Sequence, residues 1–328
     1  MPLPAVARFF VATLDEGLTV RSILTSSFPF EGSSFGNDRA VYVFNGLLCG
    51  HEDLFVHHRL QPVLNTMGEI DAWAGFAHRL GLRLPAAIHL DTGMSRLGLD
   101  KGETQCLTED HEERLRGIDV TAILSHLACA DEPAHPMNEQ QRRLFHDLLG
   151  RLPEARVSLA NSAGIFLGQD YHGQLVRPGI ALYGGAPQPG EANPMRTVVR
   201  LLGRVLQVRT IDEGGTVGYG ATYQSARRQR IATVSVGYAD GYLRSLSNRG
   251  TGYIGERPVP LVGRVSMDLI TFDVTEVPEA LAHPGAWVEL IGSHEPLDVV
   301  ARNAGTIGYE LLTRLGNRFH RAHTRSDS

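Results

Sequence analysis

The stretch Arg177-Pro178-Gly179-Ile180-Ala181-Leu182-Tyr183-Gly184 divides this sequence in two. Before it, short apolar runs alternate with helical stretches. After it, close-spaced strands are separated by Gly-rich turns. The stretch itself puts an arginine where a short apolar strand gives way to a glycine-containing loop. Taken alone, it fits a structural strand-end arginine as well as a functional one, so the flanking chain has to decide.

Upstream, seven short strands are expected: Phe9–Leu14, Val41–Phe44, Leu60–Leu64, Pro85–Leu90, Val120–Leu124, Arg156–Leu159 and Leu175–Arg177. Helical patterning falls between them, at Asp15–Ile23, Glu69–Leu80 and Asn138–Leu149. In Glu69–Leu80 the apolar residues Ile70, Trp73, Ala74, Phe76, Ala77 and Leu80 recur at the helical period. Strands alternating with helices make parallel β/α units. Polar residues gather just after the strands, on what would be the catalytic face of a (β/α)8 barrel. Such a barrel needs eight strands, so the first unit is expected to be missing ahead of Met1. Downstream of Pro187-Gln188-Pro189-Gly190, short strands are expected at Val198–Thr210, Arg230–Val236, Gly252–Ile254, Val259–Leu261, Ile270–Val274 and Trp287–Ile291. Helical segments follow at Val299–Ala304 and Tyr309–Arg314, and then a polar, disordered tail at Thr324–Ser328. The fold class is therefore α/β: a barrel over residues 1–188 with its first unit absent, then a mostly β domain over residues 189–328.

Composition excludes several classes of function. A net charge of −5 gives no reason to expect nucleic acid or an anionic membrane as partner. The apolar runs are too short to span a bilayer. Pro4–Leu14 is apolar but contains Arg8 and runs into Asp15 and Glu16, which fits a buried strand better than a secretory signal. Cys49, Cys106 and Cys129 are odd in number and far apart, as expected of free thiols in a reducing cytoplasm. His51, His57, His58, His135 and His172 lack metal-ligand spacing and are expected at the surface.

The most specific upstream stretch is Asp91-Thr92-Gly93-Met94-Ser95-Arg96-Leu97-Gly98. With it come, in order, SHLA (Ser125–Ala128), ANS (Ala160–Ser162), RPGIALYG (Arg177–Gly184), VGYGATY (Val217–Tyr223), GYADGY (Gly237–Tyr242), GRVSMD (Gly263–Asp268) and GYE (Gly308–Glu310). Each motif is weak alone. Together, from about Arg8 to Arg318, the chain resembles the alanine racemase family, isomerases that use pyridoxal 5′-phosphate (PLP) on a barrel plus a β domain.

The resemblance implies roles that make chemical sense. Ser162 and the backbone N–H groups of Gly179 and Ile180 match the cofactor-phosphate site, where such barrels commonly bind phosphate, and Tyr309 adds a hydroxyl. A helix N-cap is the structural alternative for Ser162. Arg177 matches the arginine facing the pyridine nitrogen. An arginine stays protonated, so the ring nitrogen must accept, and the ring becomes a shallower electron sink that favours reprotonation at Cα. Racemisation needs a base on each face. Tyr219 matches the base acting on L-alanine. A free tyrosine, with a pKa of about 10, is too weakly acidic for that work, and His126 with Arg177 supplies the positive charge that favours phenolate. The structural alternatives are a hydrogen-bonded barrel residue for His126 and a core or turn residue for Tyr219. Arg96 and the backbone N–H of Met267 match the grip on the substrate carboxylate, and Tyr238 an entrance tyrosine. In the family, the counterparts of Tyr219, Tyr238, Met267 and Asp268 come from the partner subunit, so a cytoplasmic homodimer is implied, making D-alanine for the cell wall.

Two departures stand out. Many relatives carry a carbamylated lysine seven residues before the arginine matching Arg96, and here that position is His89. The family's Schiff-base lysine, at the end of the first barrel strand, has no match either. The only lysine is Lys101, expected in a charged loop past the DTGMSRLG motif. The missing lysine and the missing strand are one gap, expected from a late start, a truncated chain or a degraded gene; it is expected to leave this chain without the family's covalent anchor and D-face base, and so inactive as written, and the reading frame upstream of Met1 would tell which origin applies. Open barrel edges should also impair solubility. The alternatives to an alanine racemase are a non-catalytic PLP-fold binding protein, a racemase of another amino acid, or a barrel-type decarboxylase, against which Arg177 and Tyr219 argue.

Overall fold

The computed structural model describes residues 8–27 and 39–324. It divides into two units, residues 1–178 and 179–328. Pro4–Ala7 and the last four residues of the expected tail lie outside the described residues.

In the first unit, β1 (Arg8–Val11), β2 (Ala40–Val43), β3 (Leu60–Leu64), β4 (Leu84–His89), β5 (Ile118–Leu124) and β6 (Arg156–Ser158) form one parallel sheet in chain order. The helices are α1 (Leu14–Ser27), α2 (Glu52–His57), α3 (Met67–Leu80), α4 (Lys101–Glu109), α5 (His111–Arg114), α6 (Pro136–Leu149) and α7 (Ser162–Ile165). Six of the seven expected strands form. The seventh shrinks to a single bridge, Arg177 against Asn161, with Arg177 N–H donating to Ala160 O at 2.9 Å. The reason is local. Gly173 turns the chain at φ 64°, Gln174 and Leu175 both donate to Val157 O, and Pro178 has no N–H with which to continue a ladder. Two smaller expectations also change. β1 is half-buried along its length rather than buried, and Lys101 opens helix α4 instead of lying in a loop.

Strand alternation builds two layers of core. Val41, Val43, Leu60, Leu64, Leu84, Ala86 and Ile88 pack with Ile70, Trp73 and Phe76 of α3 on the helix-covered face. Each large side chain so buried contributes about 2–3 kcal/mol. The intervening residues Ala40, Tyr42, Val63, Ala87, Ala122 and Leu124 form the other face. There Tyr42 Oη donates to Thr121 Oγ1 (3.1 Å), which donates to Gln61 Oε1 (2.7 Å). Capping sets the limits of α3: Thr66 accepts from Glu69 N–H, and Gly81 turns into the left-handed region at φ 65°.

In the second unit, Ile180–Tyr183 is a 3-10 turn closed by Gly184 at φ 85°. The strands are β7 (Leu201–Ile211), β8 (Thr216–Val217), β9 (Tyr223–Gln224), β10 (Gln229–Val234), β11 (Thr251–Ile254), β12 (Arg257–Pro260), β13 (Ile270–Asp273) and β14 (Trp287–Ile291). Six pair antiparallel in the order β12-β11-β14-β7-β10-β13, while β8 and β9 form a separate hairpin. The two edges of the larger sheet come together through a Leu261–Phe272 bridge and a 2.9 Å bond from Val262 N–H to Thr271 O. That contact protects strand ends that would otherwise be open. α8 (Leu297–Ala304) and α9 (Gly308–Arg314) follow.

Candidate active site

In the first unit, the C-terminal ends of β3 to β6 bring polar side chains together. Asn65 follows β3, His89 ends β4, Ser125 and His126 follow β5, and Ser158 ends β6. Arg177 lies beside them at its bridge with Asn161. It is buried, and its fork is mostly committed. Nη1 donates to Ser158 Oγ at 2.5 Å, and Nη2 to Ser125 O at 2.7 Å and Leu159 O at 3.3 Å. Its Nε–H has no hydrogen-bond partner among the described residues. Burial pulls the guanidinium down to about 10, so it remains a cation near neutrality.

Two imidazoles share this environment. His126 is pushed down to about 3, first by desolvation and then by the charges of Arg177, Arg96 and His89. His89 is pushed down to about 4 by desolvation and Arg177, with Asp91 opposing and Arg96 adding. Both are neutral at pH 7. The ring of His126 makes no hydrogen bond among the described residues, while its carbonyl accepts from Gln141 Nε2 (2.9 Å). Gln141, on α6, also accepts from Ala128 N–H (2.9 Å) and donates to Thr92 Oγ1 (3.2 Å), which bonds Ser125 Oγ at 2.7 Å. The segments carrying His126 and Arg96 are thereby tied to one helix.

The loop bearing Arg96 is shaped by Asp91, whose Oδ1 accepts from the N–H groups of Gly93, Met94 and Ser95 at 2.9, 2.9 and 3.1 Å. Arg96 itself is exposed and has no hydrogen bond or ion pair among the described residues. Ser162 is buried at the start of α7, and the cap of that helix is Asn161, whose Oδ1 accepts from Gly164 N–H at 2.9 Å. The hydroxyl of Ser162 is therefore not the N-cap that its position allowed. Of the histidines expected at the surface, His135 caps α6 and His172 bonds Ile165 O, so those two serve the fold. The three cysteines are unpaired.

In the second unit, Tyr219 sits in a 3-10 turn between β8 and β9 and is 73% exposed. Tyr238 is exposed in another such turn, which Asp240 holds by accepting from Gly237 N–H at 2.8 Å. Tyr238 and Ala239 donate their N–H groups to Ser266 O and Met267 O, which places the Tyr238 turn beside Met267 and Asp268. Met267 is exposed, and Asp268 pairs with Arg318 at 2.7 Å. Gly179 opens this unit, Ile180 is buried, and Tyr309 is exposed on α9. Asn65, Ser158, Gln141 and Thr92 were not singled out from sequence. Polar residues at strand ends point to Asn65 and Ser158, Thr92 stands within the DTGMSRLG motif, and no pattern in the sequence marks Gln141 on α6.

A parallel β/α domain with a buried arginine and neutral histidines at its strand ends, followed by an antiparallel β domain, defines a class of two-domain barrel enzymes. The chain belongs to the alanine racemase family: the model of its N-terminal domain matches residues 2–187 and that of its C-terminal domain residues 198–323. It is 49% identical over 315 residues to an alanine racemase of Rhodospirillum rubrum, covering 96% of this chain and 81% of that one. It is 44% identical to a catabolic alanine racemase of Agrobacterium fabrum, over 96% and 78% of the two chains. Its fold matches the crystal structure of alanine racemase from Bartonella henselae with covalently bound pyridoxal phosphate, with a TM-score of 0.88 and 39% identity over 97% of this chain and 85% of that one. A biosynthetic alanine racemase from Pseudomonas aeruginosa matches with a TM-score of 0.85 at 34% identity, covering 97% and 85%.

Proposed function

We propose that this chain seats PLP against Arg177 and carries the L-face half of a two-base alanine racemase, whose interconversion of L- and D-alanine needs a Schiff-base amine that these 328 residues do not contain. The observation that carries the reading is the state of Arg177, a buried cation whose two Nη groups are committed to Ser158 and to backbone carbonyls while its Nε–H is left to donate. A pyridine nitrogen is the acceptor this donor suits.

The Nε–H of Arg177, left to donate, suits the ring nitrogen of PLP. Ser162, Tyr309 and the N–H groups of Gly179 and Ile180 would hold its phosphate, and Arg177 its ring nitrogen. They do not include an amine for covalent attachment: the one lysine among the 328 residues, Lys101, is exposed at the start of α4, where Asp100 and Glu103 form a capping box. When bound, PLP supplies the electron sink that acidifies the amino acid's Cα–H. The protein's part is to hold and to move protons. Arg96, with the N–H of Met267, binds the carboxylate. Tyr219 takes or returns the proton on the L face. In this reading the charge of Arg177, with the neutral imidazole of His126, helps the phenol to ionise.

Tyr219, Tyr238, Met267 and Asp268 act across a homodimer in this reading, and the exposure of the first three on the second unit supports that. The protein works in the cytoplasm, making D-alanine for the cell wall. No helix among the described residues is long and apolar enough to cross a membrane. Its barrel domain takes in residues 1–188.

The test is PLP binding by the 328-residue chain. Tyr309→Phe and Arg177→Gln should each weaken binding several-fold, and borohydride reduction should leave no cofactor attached to a site residue by mass spectrometry. Binding that neither substitution changes would contradict the seating.

A further inference from the structure

Asn65 occupies a junction that fixes its amide. Its backbone N–H donates to Glu69 Oε2 (2.9 Å), and its Nδ2 donates to two carbonyls, Phe44 O at 3.0 Å and Val63 O at 2.8 Å. A flipped amide would set its oxygen against both carbonyls, so only one orientation is chemically allowed. That orientation presents Oδ1 to His89 Nδ1 at 2.9 Å. An amide oxygen only accepts, so Nδ1 must carry the proton. A neutral ring protonated at Nδ1 keeps a lone pair on Nε2, and Nε2 has no hydrogen-bond partner among the described residues.

The loop that carries Arg96 closes directly on this ring. Leu99 N–H donates to His89 O (2.8 Å) and Asp91 N–H to Leu99 O (3.0 Å), and a Cβ on Gly98 would fall 3.1 Å from His89 Cγ. Two guanidiniums act on the imidazole, those of Arg177 and Arg96. Arg177 has both Nη groups committed, and Asp91, the nearby carboxylate, is occupied by three N–H groups of the loop. The Nε–H of Arg177 is the donor assigned above to the cofactor ring, which leaves Arg96, without a hydrogen bond or ion pair among the described residues, as the donor for this nitrogen.

We propose that Asn65 and His89 form a positioning pair: Asn65 locks His89 as the neutral Nδ1–H tautomer, and its Nε2 orients the guanidinium of Arg96 for a substrate carboxylate. A neutral acceptor aims the arginine without cancelling its charge. An anionic one would hold it more tightly but would compete with the carboxylate it has to bind. The tautomer stands on the hydrogen bonds alone. The role in carboxylate binding rests on the function proposed above.

The experiment has two arms, both on the full 328-residue chain. Nitrogen-15 NMR of histidine-labelled protein, with His89→Gln assigning the signal, should show a pyrrole-type Nδ1 and a pyridine-type Nε2 at neutral pH. An Nε2–H tautomer or an imidazolium overturns the pair. The second arm compares two probes that need no lysine, phosphopyridoxyl-L-alanine and pyridoxamine phosphate, which differ by the carboxylate-bearing alanine portion. The wild type should bind the first at least tenfold more tightly. His89→Leu should erase that gain, and His89→Gln, whose amide oxygen can replace Nε2, should retain most of it. The His126 ring signal reports whether each variant is folded. A gain that survives His89→Leu overturns the positioning role. If the wild type shows no gain while the expected tautomer is seen, the carboxylate grip of the proposed function has failed and the positioning role falls with it. The NMR arm keeps that failure separate from a wrong tautomer.

Discussion

At the scale of single residues, the active-site candidates are defined by what burial does to charge. His89 and His126 are held neutral, at about 4 and about 3, because desolvation and neighbouring arginines oppose a proton. Both folded values lie below the unfolded one, so the unfolded chain binds protons first as the pH drops. Stability is full above about pH 6.5 and is lost progressively down through the folded values. At about pH 5 each histidine should cost roughly 2 kcal/mol relative to neutrality. Urea unfolding at the two pH values measures this, and His126→Asn should remove part of the drop. Tyr219 was legible in the sequence because a tyrosine between glycines in a motif is visible without a fold. Asn65 and Ser158 were not, because the partners that give them meaning lie 24 and 19 residues away along the chain.

At the scale of elements, the loop from Asp91 to Gly98 is held by one carboxylate and one glycine. Asp91→Ala removes a charged acceptor from three N–H groups and should cost about 2 kcal/mol, whereas Asp91→Asn, which keeps an oxygen, should cost less. Gly98 has φ 105°, and a Cβ there would lie 2.8 Å from Asp91 N and 3.0 Å from Leu90 C. Gly98→Ala should therefore cost about 2 kcal/mol or more, and because the loop rests on His89, it should also disturb the His89 ring signal. Thermal melts alongside the NMR spectrum separate the two effects. Strands β2 to β5 were legible because apolar runs of this length, bounded by turns, leave little choice. The stretch around Arg177 looked like a strand for the same reason. What overrode it was the turn at Gly173 and the missing N–H of Pro178.

At the scale of the whole molecule, the family was readable from eight short motifs spread over both units, because the order of motifs survives where no single one is specific. The roles across a homodimer make a separate prediction. Tyr219→Phe and Arg177→Gln chains, each impaired alone, should recover α-proton exchange of L-alanine when mixed and allowed to exchange subunits, since a mixed dimer holds one site free of both substitutions. With random exchange, about a quarter of all sites are restored. No recovery on mixing would place both residues in the same subunit's site.

In the function proposed above, Tyr219 supplies the one competent proton-transfer face of this chain, supported by Arg177 and His126. The most direct measurement is α-proton exchange in D2O, with the 328-residue chain, PLP and either L- or D-alanine, followed by NMR. Tyr219-dependent deuteration of L-alanine is expected, with much slower deuteration of D-alanine and loss of the L-specific signal in Tyr219→Phe. Equal exchange of the two enantiomers, or an L-specific signal that survives Tyr219→Phe, would contradict that function.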